Sequence, residues 1–105
     1  MGIFESDVIS DGPYRQSQTA SVKGCQIDYL LQTATNTLYL SEFKLRRREL
    51  GIEIIQEMQE KINALKIPRG YAATPVLFHL GGISSFVETQ GYFYRIINIA
   101  DFLEG

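Results

Sequence analysis

Cys25-Gln26-Ile27-Asp28-Tyr29-Leu30-Leu31-Gln32-Thr33, then Ala34-Thr35-Asn36, then Thr37-Leu38-Tyr39-Leu40-Ser41-Glu42-Phe43-Lys44-Leu45: this stretch decides the fold. Both flanks are rich in Ile, Tyr, Leu and Phe, residues that suit a pleated, half-buried surface, and only a short segment separates them. The pattern predicts a tight antiparallel hairpin. With a three-residue loop at 34–36, Asp28 falls directly opposite Glu42, and partners across a hairpin point to one face. Lys44 lies two residues beyond Glu42, so the strand period puts it on that face too.

Two carboxylates within ~5 Å repel one another unless a cation or a proton intervenes. A hard divalent ion such as Mg2+ (or Mn2+) resolves this, because it takes oxygen ligands and needs only one or two carboxylates beside water and phosphate. Lys44 can then position or help deprotonate a water and neutralise the phosphate under attack. A Glu-x-Lys on a strand more often belongs to a solvated face carrying a weak surface ion pair. Three features weigh against that here: the strands lie inside the sheet, Asp28 aligns with Glu42, and Ile27, Tyr29, Phe43 and Leu45 around them are apolar. The alignment rests on the loop, since a four-residue loop would spoil the register.

Working outward, Ile52, Ile55, Met58, Ile62 and Leu65 recur at spacings of three and four and predict a helix over 49–66, ended by Pro68 and Gly70. Glu57 and Lys61 form an i, i+4 pair on its outer side. Thr74 to Leu80 is nearly all apolar, as in a strand buried on both faces. Gly81-Gly82 turns the chain, 83–89 reads as a short helix, 92–99 as another strand, and Asp101-Phe102-Leu103 as the start of a further helix. On the N-terminal side, residues 3–12 read as an extended lead-in ending in a turn at Ser10-Asp11-Gly12-Pro13, and 14–22 as an edge strand. The link from the third strand through the long helix to Thr74 has the length of a crossover between parallel neighbours. An α/β fold with a mixed sheet follows.

At 105 residues and 45% apolar content the chain is expected to form a single domain, residues 1–105. No apolar run approaches the length that crosses a membrane, and the first residues show no signal-peptide pattern. Cys25 stands alone, which excludes an internal disulfide or a cysteine zinc cluster and suits a reducing cytoplasm. The net charge of −2 gives no global attraction for nucleic acid, so a local patch must supply it. Arg46-Arg47-Arg48 is the candidate: three cations just before a helix start oppose its dipole, and a phosphate-holding role accounts for them better than a solvated surface does. Arg15, Lys23 and Arg69 extend it if they point the same way. His79 sits in the most apolar strand and reads as a satisfied core residue, and Cys25 has no activating base, so Cys–His catalysis is not expected.

Asp28, then Glu42-Phe43-Lys44 after a hairpin, then a long helix and a buried strand resemble the PD-(D/E)xK nuclease superfamily. The stretches 24–28, 36–39, 41–44, 57–62, 68–70, 75–79 and 91–93 further resemble the nuclease-like domain at the C-terminus of certain prokaryotic ATPases, a similarity that covers most of the chain from residue 13 onward. The resemblance implies a restriction-endonuclease-like mixed β-sheet, an antiparallel hairpin plus a parallel crossover strand, with flanking helices. It also implies that Asp28 and Glu42 bind the metal, that the carbonyl of Phe43 adds a ligand, and that Lys44 acts at the water. Gln59 lies between Ile55 and Ile62, where an unpaired amide is costly. It either bonds backbone or reaches toward the metal-bound water or phosphate, as helix residues do in related nucleases.

The sequence departs from that pattern in lacking a helix before the first strand; residues 1–12 are too short and broken for it, and Glu5 is a poor substitute for its acidic residue. Either the chain lacks that helix or it is a piece of a longer ATPase. No GxxxxGK[ST] loop is present, so ATPase activity would belong to a partner domain or subunit. The expectation is a cytoplasmic Mg2+-dependent nuclease acting on nucleic acid, DNA in the first instance. Two alternatives stay open: a non-catalytic nucleic-acid-binding or regulatory module of an ATPase, and a dimerisation domain whose uncovered sheet takes a second copy.

Overall fold

The computed structural model describes residues 8–103. Five strands form one sheet in the order β1 (Val8–Gln16), β2 (Cys25–Thr33), β3 (Thr37–Lys44), β4 (Ala72–His79) and β5 (Arg95–Asn98). The first two pairings are antiparallel and the last two parallel. Helix α1 (Glu53–Ala64) makes the crossover from β3 to β4, α2 (Ser85–Gln90) that from β4 to β5, and α3 (Ala100–Leu103) follows β5.

The hairpin folds as its sequence dictates. Asn36 takes a left-handed φ of 60°, a conformation Asn tolerates, and its N–H donates to the Thr33 carbonyl. The turn sets the register Gln32↔Leu38, Leu31↔Tyr39, Leu30↔Leu40 and Tyr29↔Ser41. Leu38 and Leu40 then face α1 and join Ile27, Ile54, Met58 and Leu77 in the core. In β4, Pro75, Val76 and Leu77 are all buried, so both faces of that strand are covered there.

Helix α1 starts at Glu53 rather than Glu49 because the Leu50 backbone is already engaged. Leu50 forms a parallel bridge with Ile83, its N–H donating to Gly82 and its carbonyl accepting from Ser84. At the other end the buried Gln16 clamps the helix: its amide donates to the Ala64 and Lys23 carbonyls and its oxygen accepts from Lys66 N–H. All three bonds are 2.6–2.7 Å long.

The first strand departs from the sequence reading. β1 continues through Ser10–Pro13, and 17–24 form the loop into β2. Gly12, at φ 141°, and Pro13 sit at an irregularity between the rungs Gly12↔Leu30 and Tyr14↔Ile27, where an edge strand tolerates a missing N–H. The lead-in expected over residues 3–7, Glu5 included, lies outside the described residues.

Candidate active site

Between those two rungs β2 places Asp28 and Tyr29 against the single residue Pro13, so it bulges at Asp28. The bulge changes which residues face α1: Cys25 and Ile27 pack against the core before it and Leu30 after it. Pairing of β2 with β3 ends at Tyr29↔Ser41, one step before Asp28 and Glu42 would meet. Across that opening Phe43 N–H donates to Asp28 Oδ2 at 2.9 Å, so the carboxylate replaces a backbone acceptor and is drawn to β3 beside Glu42.

Glu42 continues the face of Leu38 and Leu40 beneath α1 and is 2% exposed. Burial pushes its carboxyl above the ordinary range and the neighbouring Asp28 pushes it further, while Lys61 opposes both. Lys61, from α1, bonds Glu42 Oε1 directly. Lys44 also turns to α1 and pairs with Glu57 at 2.9 Å. The outer-side Glu57–Lys61 pair expected from i, i+4 spacing is therefore replaced: each residue, one turn apart, reaches to β3 instead. Lys61 was missed as a site residue because helix spacing supplied it with a local partner; the tertiary partner wins because a carboxylate this buried needs a cation.

Three carboxylates thus meet two ammoniums. Besides the bonds from Phe43 N–H and Lys61, the Asp28 and Glu42 carboxyl groups lie within reach of one another. Among those residues no group of three or more His, Cys, Asp or Glu side chains could hold a metal. Two adjoining carboxyl groups are too few for a structural metal held wholly by protein, and offer the kind of oxygen ligands that a hard divalent ion takes alongside water and phosphate.

The other sequence candidates separate. Phe43 directs its ring to the opposite face, 4.8 Å from that of Phe78, so only its backbone adjoins the carboxylates. Gln59 is exposed, and at two residues from both Glu57 and Lys61 it lies about 160° round the helix from each. The structure does not bring it to the site, and the apolar position expected for it is instead solvent-facing. Arg47 and Arg48 are exposed and Arg46 is half-buried, its Nε without a partner. The run lies in the loop after β3, several residues ahead of α1, so the dipole argument for it does not hold. Arg46 and Arg48 instead help keep the Glu53 carboxyl low, after that group's bonds to backbone N–H. His79 is buried as expected, its Nδ1 accepting from Gly82 N–H at 3.2 Å.

No family model matches this sequence, and no curated protein matches it. Among solved structures, the crystal structure of a repair endonuclease from Pyrococcus abyssi is similar, at 14% identity and a TM-score of 0.51. The match covers 83% of this chain and 38% of that one, so the chain spans well under half of the endonuclease it resembles. The fold is a restriction-endonuclease-like mixed α/β sheet, shared with a nuclease of very different sequence.

Proposed function

We propose that this chain is a nuclease module that hydrolyses phosphodiester bonds of nucleic acid, DNA in the first instance, with the help of Mg2+ or Mn2+. One observation carries the reading: a nearly inaccessible Glu42 is held beside Asp28 at the open end of a hairpin, in a fold shared with an endonuclease. Asp28, Glu42 and the Phe43 carbonyl would hold the ion, which when bound supplies Lewis-acid activation of a water and charge neutralisation at phosphate. Lys44 would leave its partly exposed Glu57 partner and turn to the attacking water or the phosphate. Lys61 fixes the orientation of Glu42. Arg46, Arg47 and Arg48 hold backbone phosphates.

An ATPase domain or subunit as partner, in the cytoplasm, follows from the sequence resemblance. A non-catalytic binding module draws support from one feature, the capture of Lys44 by Glu57, away from Glu42. Tyr29, Phe43 and Phe78 on the face opposite α1 suit a homodimer. Calorimetric titration of wild type and Glu42→Ala with Mn2+, with a nuclease assay on the same samples, tests the proposal. Specific binding and cleavage that both vanish in the variant are expected. Metal binding without cleavage of any substrate form favours the non-catalytic module, and equal binding by the two proteins removes the site.

A further inference from the structure

β1 ends, β2 begins and β3 ends at the same end of the strands, so the loop joining β1 to β2 and the arginine run flank Asp28 and Glu42 on opposite sides. Two adjoining cavities open on the first of these sides. One is lined by Arg15, Gln18 and Gln26, among others, and the next by Lys23 and Lys61, and they share Gly24 and Cys25. Gly24 leaves bare backbone at the join; a Cβ there would stand 3.1 Å from the Gln16 carbonyl oxygen and the Gln18 nitrogen.

The charges along this path are graded. No carboxylate lines the outer cavity, which presents a guanidinium and exposed amides. The inner cavity is lined by Lys23 and Lys61 and by two carboxylates, Glu60 and Glu57, the second of which pairs with Lys44. The path ends at Lys61, whose ammonium is already on Glu42. Arginine, lysine and glutamine side chains over a backbone floor are the groups that hold phosphate and sugar without reading bases.

We propose that this groove seats one strand of a nucleic acid, its phosphodiester backbone running past Arg15 and Lys23 to the Asp28–Glu42 pair. The inference rests on the nuclease reading for its ligand class and adds a binding site on the side away from Arg46–Arg48. Arg15 and Lys23 are both exposed, so their replacement by Gln leaves the packing alone.

Fluorescence anisotropy with a short labelled single strand, in the absence of divalent ions, tests it. The Arg15→Gln, Lys23→Gln double variant should bind several-fold more weakly. Its log–log salt slope should shrink by roughly 0.7 for each phosphate that is no longer neutralised. Arg69→Gln, at the opposite end of the strands, should match wild type. Cys25, the one thiol of the chain, lies in the groove, so bound oligonucleotide should slow its modification by a maleimide. An unchanged salt slope or an unprotected thiol overturns the groove. If binding is lost only on replacing Arg46–Arg48, the groove falls and the nuclease reading stands. If the groove binds as expected but Mn2+ supports no cleavage, the groove stands and the nuclease reading falls.

Discussion

The backbone N–H of Phe43 donates to Asp28 Oδ2 at 2.9 Å, across the opening where β2 and β3 have stopped pairing. This bond ties the position of one acidic residue to the chain segment that carries the other. Asp28 therefore has two separable duties, accepting a hydrogen bond and contributing charge.

Asp28→Asn and Asp28→Ala should separate these duties. Asn retains an oxygen acceptor, so its stability should stay close to wild type, while Ala should lose about 0.5–1.5 kcal/mol. Both should lose specific Mn2+ binding, because an amide removes half of the anionic charge offered by the pair. Urea denaturation and calorimetry on the two variants check this. Wild-type Mn2+ affinity in Asp28→Asn would remove the residue from the ion site.

The two ammoniums of the site should behave differently under substitution. Lys61→Met strands a carboxylate that is 3% exposed, and breaking a buried pair costs about 3–5 kcal/mol; the 28% exposure of Lys61 places it at the lower end. Lys44→Met breaks a pair whose Glu57 is 46% exposed, which is worth about 0–1 kcal/mol. Cleavage should show the reverse emphasis for Lys44: its loss should abolish turnover and leave Mn2+ affinity intact. Equal destabilisation by the two substitutions would contradict the pairing, and full activity of Lys44→Met would take that residue out of the reaction.

How much of this was legible in the sequence follows from how local each cause is. The hairpin register was readable because a three-residue loop with Asn36 at its end fixes it, and the rungs from Gln32↔Leu38 to Tyr29↔Ser41 follow. The bulge that releases Asp28 from the ladder was not, since it arises from pairing with β1, whose own course through Gly12-Pro13 looked like a turn. Helix periodicity marked α1, but its true start depends on the bridge between Leu50 and Ile83, far apart in sequence. Lys61 and Gln59 were exchanged for a similar reason. Spacing of three and four gave Gln59 apolar company and Lys61 an acidic neighbour, yet the sheet beneath decides which of them turns inward.

Acid should weaken the fold through His79. Burial holds its imidazole below the ordinary 6.5, against the pull of Asp101 and Glu88, and Nδ1 must stay unprotonated to accept from Gly82 N–H. The folded protein thus binds a proton here less tightly than the unfolded chain does. Its contribution is complete above 6.5 and is lost as pH falls through the lower folded value. His79→Asn, which keeps an acceptor but cannot titrate, should show a flatter decline of stability between about pH 7 and about pH 5. A variant that declines as steeply as wild type would place the acid sensitivity elsewhere.

Gly81 holds the arginine run in place by having no side chain. A Cβ there would overlap the Arg46 carbonyl oxygen and the Arg47 carbonyl group, backbone atoms that cannot rotate away. Gly81→Ala must therefore displace the segment leaving β3, or the turn between β4 and α2, or both. Overpacking of this kind costs about 1–3 kcal/mol. The strain falls beside the Leu50–Ile83 bridge, so the Leu50 and Ser84 amides should exchange with solvent faster than in wild type. No charge is removed, so any fall in nucleic-acid affinity reports the position of Arg46–Arg48 and not their number. If those arginines hold phosphates, Gly81→Ala should weaken binding and leave Mn2+ affinity near wild type, because Asp28 and Glu42 lie upstream of the displaced segment. Unchanged affinity in a variant whose amide exchange shows the displacement would return the arginine run to an ordinary charged surface.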